Sequence, residues 1–246
     1  MKMNKSDLPS DLPIDVVLRR LQTDDISQVI EIEREAFSPL WISTPFKREL
    51  NNRYTSYLVA CWESGNGNWV GGLDAEGVPA PDNSPDKLSD ESNSSNSGSS
   101  WRRMASKFQG LIGKRPDHET SGSFIAGYVS VWYQGEEAHI TEIAVRENLR
   151  GRGYGELLLI GSLRAAVEYG SKVMTLEARV SNFIAQRLYE KYGFKTVGIR
   201  RAYYSDNRED AVIMTTSPIN TGEYQQLFED LQTTYRTRWG EIPMDL

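Results

Sequence analysis

One cysteine and two histidines in 246 residues leave little material for redox or metal chemistry. Cys61 alone cannot close an intrachain disulfide, and His118 and His139 do not combine with it at zinc-ligand spacing, so no structural metal is expected. Long apolar runs are missing too. Phe124 to Tyr133 reaches about half the length of a bilayer-spanning helix and contains Gly and Ser. Lys2 and Lys5 lead into the acidic, proline-containing stretch Asp7 to Asp15 with no apolar segment between, so a secretory leader is not expected and a cytoplasmic location is. Positive charge is in deficit, with Lys+Arg 28 against Asp+Glu 34 and a net charge of −6, which argues against wholesale binding of a phosphate backbone and against a direct nucleic-acid partner. Residues 83–100 carry one aliphatic side chain, Leu88, and cannot bury a core. What is present is 39% hydrophobic residues, roughly 47% with the 20 glycines, a globular value. The chain therefore reads as one domain with additions.

Periodicity places the elements. A helix is expected from Asp24 to Phe37, with Ile26, Val29, Ile30 and Phe37 on one face and Thr23 or Asp24 as N-cap. A second opens at Ser43-Thr44-Pro45, Pro taking the first helical position, and carries Phe46 and Leu50. Residues 57–62 read as a strand, and 124–133 with 138–145 as a hairpin turning at 134–136. A helix from about Gly153 to Tyr169 ends at Gly170, a strand follows over 173–178, a helix over 184–192 stops at Gly193, and strands follow over 194–199 and 211–216. This βαβα alternation marks an α/β domain.

Three segments fall outside that core: an N-terminal tail (1–15), an insertion over about 64–122, and a C-terminal extension (219–246). The insertion stands where a tight connection belongs and is expected to be largely disordered. Within it, Trp101, Met104, Ala105, Phe108, Leu111 and Ile112 recur at helical spacing beside Arg102, Arg103, Lys107, Lys114 and Arg115, a basic amphipathic helix over 101–115. Docking on the core, or weak contact with an anionic membrane surface or a partner, would each suit it. In the extension, Tyr224, Leu227, Phe228, Leu231 and Tyr235 share a face that packs on the domain or mediates self-association.

The most informative stretch is a strand (Ile143, Ala144, Val145), a glycine-rich turn (Arg150, Gly151, Arg152, Gly153) and a helix start (Tyr154, Gly155, Glu156). Glycines let successive N–H groups point inward, and the helix N-terminus adds partial positive charge, so a pyrophosphate fits. A dinucleotide fingerprint needs Gly where Glu156 stands, and a Walker loop needs a Gly-Lys-Ser/Thr that is missing. The pattern Arg150-x-x-Gly153-x-Gly155 resembles the acetyl-CoA-binding loop of the GNAT superfamily of N-acetyltransferases. Downstream, Leu176-Glu177-Ala178-Arg179-Val180-Ser181-Asn182, residues 188–194 (LYEKYGF) and Arg200-Arg201-Ala202-Tyr203-Tyr204 followed by 209–214 (EDAVIM) resemble the ribosomal-protein-alanine N-acetyltransferases of the RimI type, over about residues 16–62 and 124–217.

That resemblance implies a single GNAT domain (16–218, interrupted by the insertion) whose mixed, mostly antiparallel sheet splays where acetyl-CoA enters. It implies direct acetyl transfer to the α-amino group of a protein N-terminus, with a ribosomal protein beginning in Ala as the candidate acceptor. Glu177 then matches the general base, Tyr189 the general acid on the CoA thiolate, Asn182 a pantetheine contact, and Tyr203 and Tyr204 aromatics that hold the acceptor. Trp41 walls the same groove, although Leu40 interrupts the family's Pro-Trp pair. Chemistry asks for a base independently, since an α-ammonium of pKa about 7.7 to 8.0 must lose a proton before attacking a thioester. Glu142, in the strand before the loop, is a reserve base acting through water. Plainer roles exist for each: Glu177 pairing with Arg179 or Arg201, Tyr189 packing on the sheet, Asn182 capping its helix. His139 alternates away from Glu142 and reads as structural, and Cys61 as core. Two rival functions stay open: acetylation of a small amine or lysine, and a non-catalytic acyl-CoA-binding module.

Overall fold

The computed structural model describes residues 16–37, 44–63 and 123–246. The N-terminal tail, Trp41 and the insertion with its basic helix over 101–115 lie outside the described residues.

The elements run β1 (Val16–Arg20), α1 (Ile26–Phe37), α2 (Phe46–Glu49), β2 (Thr55–Glu63), β3 (Ser123–Gln134), β4 (Glu137–Val145), α3 (Tyr154–Tyr169), β5 (Val173–Arg179), α4 (Phe183–Lys191), β6 (Phe194–Arg200), β7 (Ala211–Thr216), α5 (Gly222–Trp239) and β8 (Met244–Asp245). The strands form one sheet in the order β6-β7-β5-β4-β3-β2-β1-β8. Two neighbouring pairs are parallel, β4 with β5 and β1 with β8, and the rest are antiparallel. The mixed, mostly antiparallel sheet is thus as expected.

Helices cover both faces, which is why β3 reads as a continuous apolar run. One core takes Val129, Val131 and Tyr133 of β3 with Leu157, Leu158 and Ile160 of α3; the other packs Ile125 and Tyr128 against Val29 and Ile32 of α1 and Phe46 of α2. Phe46 sits edge-on to Tyr57 and Tyr128, with ring centroids 5.5 and 6.1 Å away. Cys61 is buried there.

Several expectations shift. Ile26 and Val29 are buried as expected, but Phe37, the last residue of α1, is 38% exposed, and Ile32 joins the buried face. Pro45 caps α2 rather than entering it, and that helix is a single turn. Strands β1 and β8 were not among the expected elements. The C-terminal segment packs on the domain, one of its two expected roles: Ile219, Tyr224, Phe228, Tyr235 and Ile242 enter the same core as α3, and β8 pairs in register with Leu18 and Arg19. Leu227, expected on that buried face, is exposed.

Candidate active site

Strands β4 and β5 pair only over Glu137–Ile140 and Val173–Leu176, yet β4 continues to Val145 and β5 to Arg179. Beyond Ile140 and Leu176 the two part, opening the sheet at its centre, and both acidic candidates stand at this opening.

Glu177, one residue past the last pair on β5, is 8% exposed and held from two sides. Arg200 Nη2 lies 3.1 Å from Oε1 and His139 Nε2 lies 3.1 Å from Oε2. Its cationic partner is therefore Arg200 on β6, not Arg179 or Arg201; Arg179 instead reaches Asp206 and Glu209. His139 Nδ1 is 2.8 Å from Thr175 Oγ1, and the Thr175 hydroxyl donates to Glu137 at 2.6 Å. Because that single hydroxyl hydrogen is spent on a carboxylate, Thr175 can only accept from Nδ1–H. Nε2 then faces the Glu177 carboxyl.

His139 and Glu142 share a face of the sheet, contrary to strict alternation. Ile140 pairs with Val131 and Glu142 with Ser130, leaving Thr141 as an extra residue, and this bulge reverses the parity of β4. Glu142 accepts from the Tyr128 hydroxyl at 2.9 Å, and burial pushes its carboxyl above the usual range against the lowering effect of that bond. Glu33 of α1, itself buried, adds a further upward push. It accepts from the backbone N–H and hydroxyl of Thr44 at the entry to α2.

Tyr203 and Tyr204 follow β6, their rings edge-to-face at 5.2 Å. The Arg200 guanidinium lies over the first at 5.5 Å and that of Arg179 over the second at 3.9 Å. The loop bearing them is pinned by Glu209, which accepts from the Ser181 N–H at 2.8 Å and from Arg179 at 3.2 Å. Chiefly through its bonds to Ser181, the Glu209 carboxyl falls to about 2. Tyr189 is 5% exposed with its ring 5.8 Å from Phe194, so it does pack on the sheet. Its hydroxyl is raised by burial and then by the nearby Tyr204; that of Tyr204 is pushed up to about 12, mainly by burial, with Glu177 contributing. Glu177, Tyr189, Tyr203 and Tyr204 thus occupy one neighbourhood.

The glycine turn begins where β4 ends. After Val145, a 3₁₀ turn over Glu147–Leu149 plugs Leu149 into the core. Gly151 and Gly153 both adopt positive φ (80° and 86°), which a side chain would strain. Nothing lies within 4 Å of where a Cβ on Gly151 would stand, so the turn is an open cradle. The first-turn amides of α3 lack partners within the helix, and the macrodipole favours an anion beside them, so the cradle suits a pyrophosphate. Tyr154 and Glu156 can offer it only main-chain N–H groups. The Tyr154 ring is buried edge-on against Trp62 at 5.4 Å, and the Glu156 carboxylate accepts from Tyr192 Oη at 2.7 Å and Lys191 Nζ at 2.5 Å. Arg150 is exposed and donates to the Val145 carbonyl at 3.3 Å. Asn182 caps α4, its Oδ1 accepting from the Ala185 N–H at 3.2 Å. Sequence reasoning set His139 aside and passed over Arg200, Tyr128 and Thr175; Arg200 stood in a quoted motif, but its reach to Glu177 depends on two strands meeting across the sheet.

Comparison with known proteins agrees with this geometry. Residues 26–194 match the model of the acetyltransferase (GNAT) family. A Bacillus subtilis (strain 168) protein, provisionally named a ribosomal protein bS18-alanine N-acetyltransferase, is 29% identical over 80% of this chain and 92% of its own. Two solved structures share the fold. The ribosomal-protein-S18-alanine N-acetyltransferase from Escherichia coli gives a TM-score of 0.53 at 22% identity, covering 84% of this chain and 96% of that one. A NatC complex bound to Gag peptide and CoA gives 0.52 at 15% identity, covering 82% and 98%. Among the described residues no helix is long and apolar enough to cross a membrane, and no group of His, Cys, Asp and Glu could hold a metal ion. With a sheet parting at its centre, a left-handed glycine turn leading into a helix at the end of the strand beside the gap, and a family match over most of the chain, the protein belongs to the GNAT family of acetyltransferases.

Proposed function

We propose that the chain transfers acetyl from acetyl-CoA to the α-amino group of a protein N-terminus, the acceptor being a small-subunit ribosomal protein that begins with Ala. The observation that carries this reading is Glu177, held between Arg200 and His139 at the parting of β4 and β5, beside the Tyr203–Tyr204 pair and the buried Tyr189. The name of the Bacillus relative supports the acceptor.

The chemistry follows from those groups. Acetyl-CoA supplies the activated acyl group; the cradle of Gly151 and Gly153, with Arg150, Arg152 and the first-turn amides, takes its pyrophosphate, and Ile143, Ala144, Val145 and Asn182 border the rest. Glu177, through water, takes a proton from the α-ammonium and passes it to solvent. The free amine attacks the thioester carbon and a C–N bond forms. As the adduct collapses, the C–S bond breaks with its electron pair on sulfur. Tyr189 supplies the sulfur's proton and recovers the one that nitrogen gives up. Burial raises that phenol, which keeps it protonated at neutral pH before the transfer. Glu142, whose carboxyl burial already raises, serves as the second acceptor of protons and borders the amine.

The test is acetyl-CoA turnover with peptides differing in their first residue, the bS18 N-terminus included, alongside spermidine and a peptide offering only a lysine amine. Preference for Ala-first peptides is expected. Turnover with spermidine or lysine alone overturns the acceptor, and CoA binding without any turnover overturns the reaction.

A further inference from the structure

We infer that the C-terminal helix α5 is part of the acetyl-CoA site, with Trp239 acting as the positioning residue that holds Gly153 in its left-handed conformation. This rests on the reading of the glycine turn as the pyrophosphate cradle. The family match ends at residue 194, so α5 lies wholly beyond it.

The contact is close and specific. A Cβ on Gly153 would stand 2.8 to 3.0 Å from three atoms of the Trp239 indole, so the ring fills the space beside the turn. One turn earlier on α5, the Tyr235 hydroxyl reaches the Gly153 carbonyl at 3.4 Å, the carbonyl that also receives the first helical bond of α3, from the Leu157 N–H at 2.9 Å. Gly153 is thus gripped at its carbonyl and at its open side by one helix. With φ at 86° and no side chain, it would otherwise move freely between left-handed and other conformations. The amides of residues 154–156 can converge on a phosphate only while Gly153 stays as it is.

The grip is itself braced. The Tyr224 hydroxyl donates to the Tyr192 carbonyl at 2.8 Å, and Arg164 Nε donates to Gln232 at 2.7 Å. Beyond Trp239 the chain returns to the sheet, where the Leu18 N–H donates to the Pro243 carbonyl at 3.0 Å and β8 pairs with β1. Trp239 therefore lies between two fixed points. The Arg238 guanidinium lies over its ring at 4.6 Å. This carries the cofactor site into a segment some eighty residues downstream of the turn.

The experiment uses the full chain and reads CoA affinity by calorimetry together with kcat and KM for acetyl-CoA. Trp239→Ala is expected to weaken CoA about tenfold, roughly 1.4 kcal/mol, and to raise KM similarly, while kcat at saturation stays within about twofold. Trp239→Phe, which keeps a flat ring against Gly153, recovers most of the loss. Phe228→Leu loosens α5 three turns before Trp239, at its edge contact with the Tyr192 ring, 6.4 Å between centroids, and should lower Tm with CoA affinity moving far less than in Trp239→Ala. Gly151→Ala strains the turn without touching Trp239 and should weaken CoA as well. If Gly151→Ala weakens CoA and Trp239→Ala does not, the inference falls while the cradle stands. If neither does, the cradle assignment falls and takes the inference with it. Equal weakening by Trp239→Ala and Phe228→Leu would reduce the effect to general stability and also overturn it.

Discussion

Replacing Glu177 with Gln keeps the shape of a side chain that meets Arg200 and His139 at 3.1 Å each, but removes its charge and its capacity to accept a proton. The fold should tolerate this, because Arg200 is more than half exposed and water can solvate it once the carboxylate is gone. General-base catalysis contributes about 10² to 10⁴ in rate, so kcat/KM with an Ala-first peptide at pH 7 should fall by about 10²-fold or more. The size of the deficit must depend on pH. An amine of pKa about 8 is roughly 9% unprotonated at pH 7 and roughly 91% at pH 9, so the variant gains about tenfold over that range merely by finding its substrate deprotonated. The ratio of wild type to variant should shrink by up to the same factor. Initial rates at saturating acetyl-CoA, from pH 6.5 to 9.5, give the two profiles. A ratio that stays flat across that range would show that Glu177 does not handle the amine's proton, and a variant as active as wild type at pH 7 would pass the role to Glu142 or to water.

Tyr189→Phe should lower kcat by about 10²-fold and leave KM for acetyl-CoA within about twofold; a large loss of CoA affinity would instead make the tyrosine a packing residue. For Glu142, burial raises the folded-state pKa above the unfolded value of about 4.5, so wild type loses stability as pH rises through that window; Glu142→Gln keeps an acceptor for the Tyr128 hydroxyl and should raise Tm at pH 7, the gain vanishing below about pH 4. A Tm gain that persisted at pH 3 would contradict this sign. Gly161→Ala places a methyl 2.3 Å from Leu18 Cδ2 and 3.2 Å from Leu58 Cδ1, both fully buried. Overpacking of about 1 to 3 kcal/mol outweighs the roughly 0.5 to 1 kcal/mol that Ala gains in a helix, so the urea midpoint should fall. An unchanged or higher midpoint would mean that Leu18 repacks without cost.

Local chemistry announces itself in sequence, and contacts between distant segments do not. The glycine turn, α3 ending at Gly170 and Asn182 as a cap were legible because each depends on neighbours within a few residues. Strands β1 and β8 were not, since each is short and owes its existence to partners elsewhere: Val16 to Arg20 pair with 58–62, and Met244 with Leu18. The same reason hid half of the candidate site. Glu177 and Tyr189 could be named from motifs, but not the surroundings of Glu177, which come from β4 and β6. His139 was set aside by assuming alternation that the bulge at Thr141 breaks, and a bulge leaves no mark in composition. Phe37 showed the converse error, where helical spacing placed on the buried face a residue that stands at the exposed end of α1.

The two residues of β8 have a role out of proportion to their length. An unpaired sheet margin is a template on which another chain can add a strand, and proteins blunt such margins with short or covered segments. Here Met244 and Asp245 lie along β1, so the outermost strand on that side is too brief to recruit another, and Asp245 adds charge to it. A chain trimmed after Gly240 would present the backbone of Leu18 and Arg19 to solvent, and self-assembly in concentrated solution should be among its visible defects.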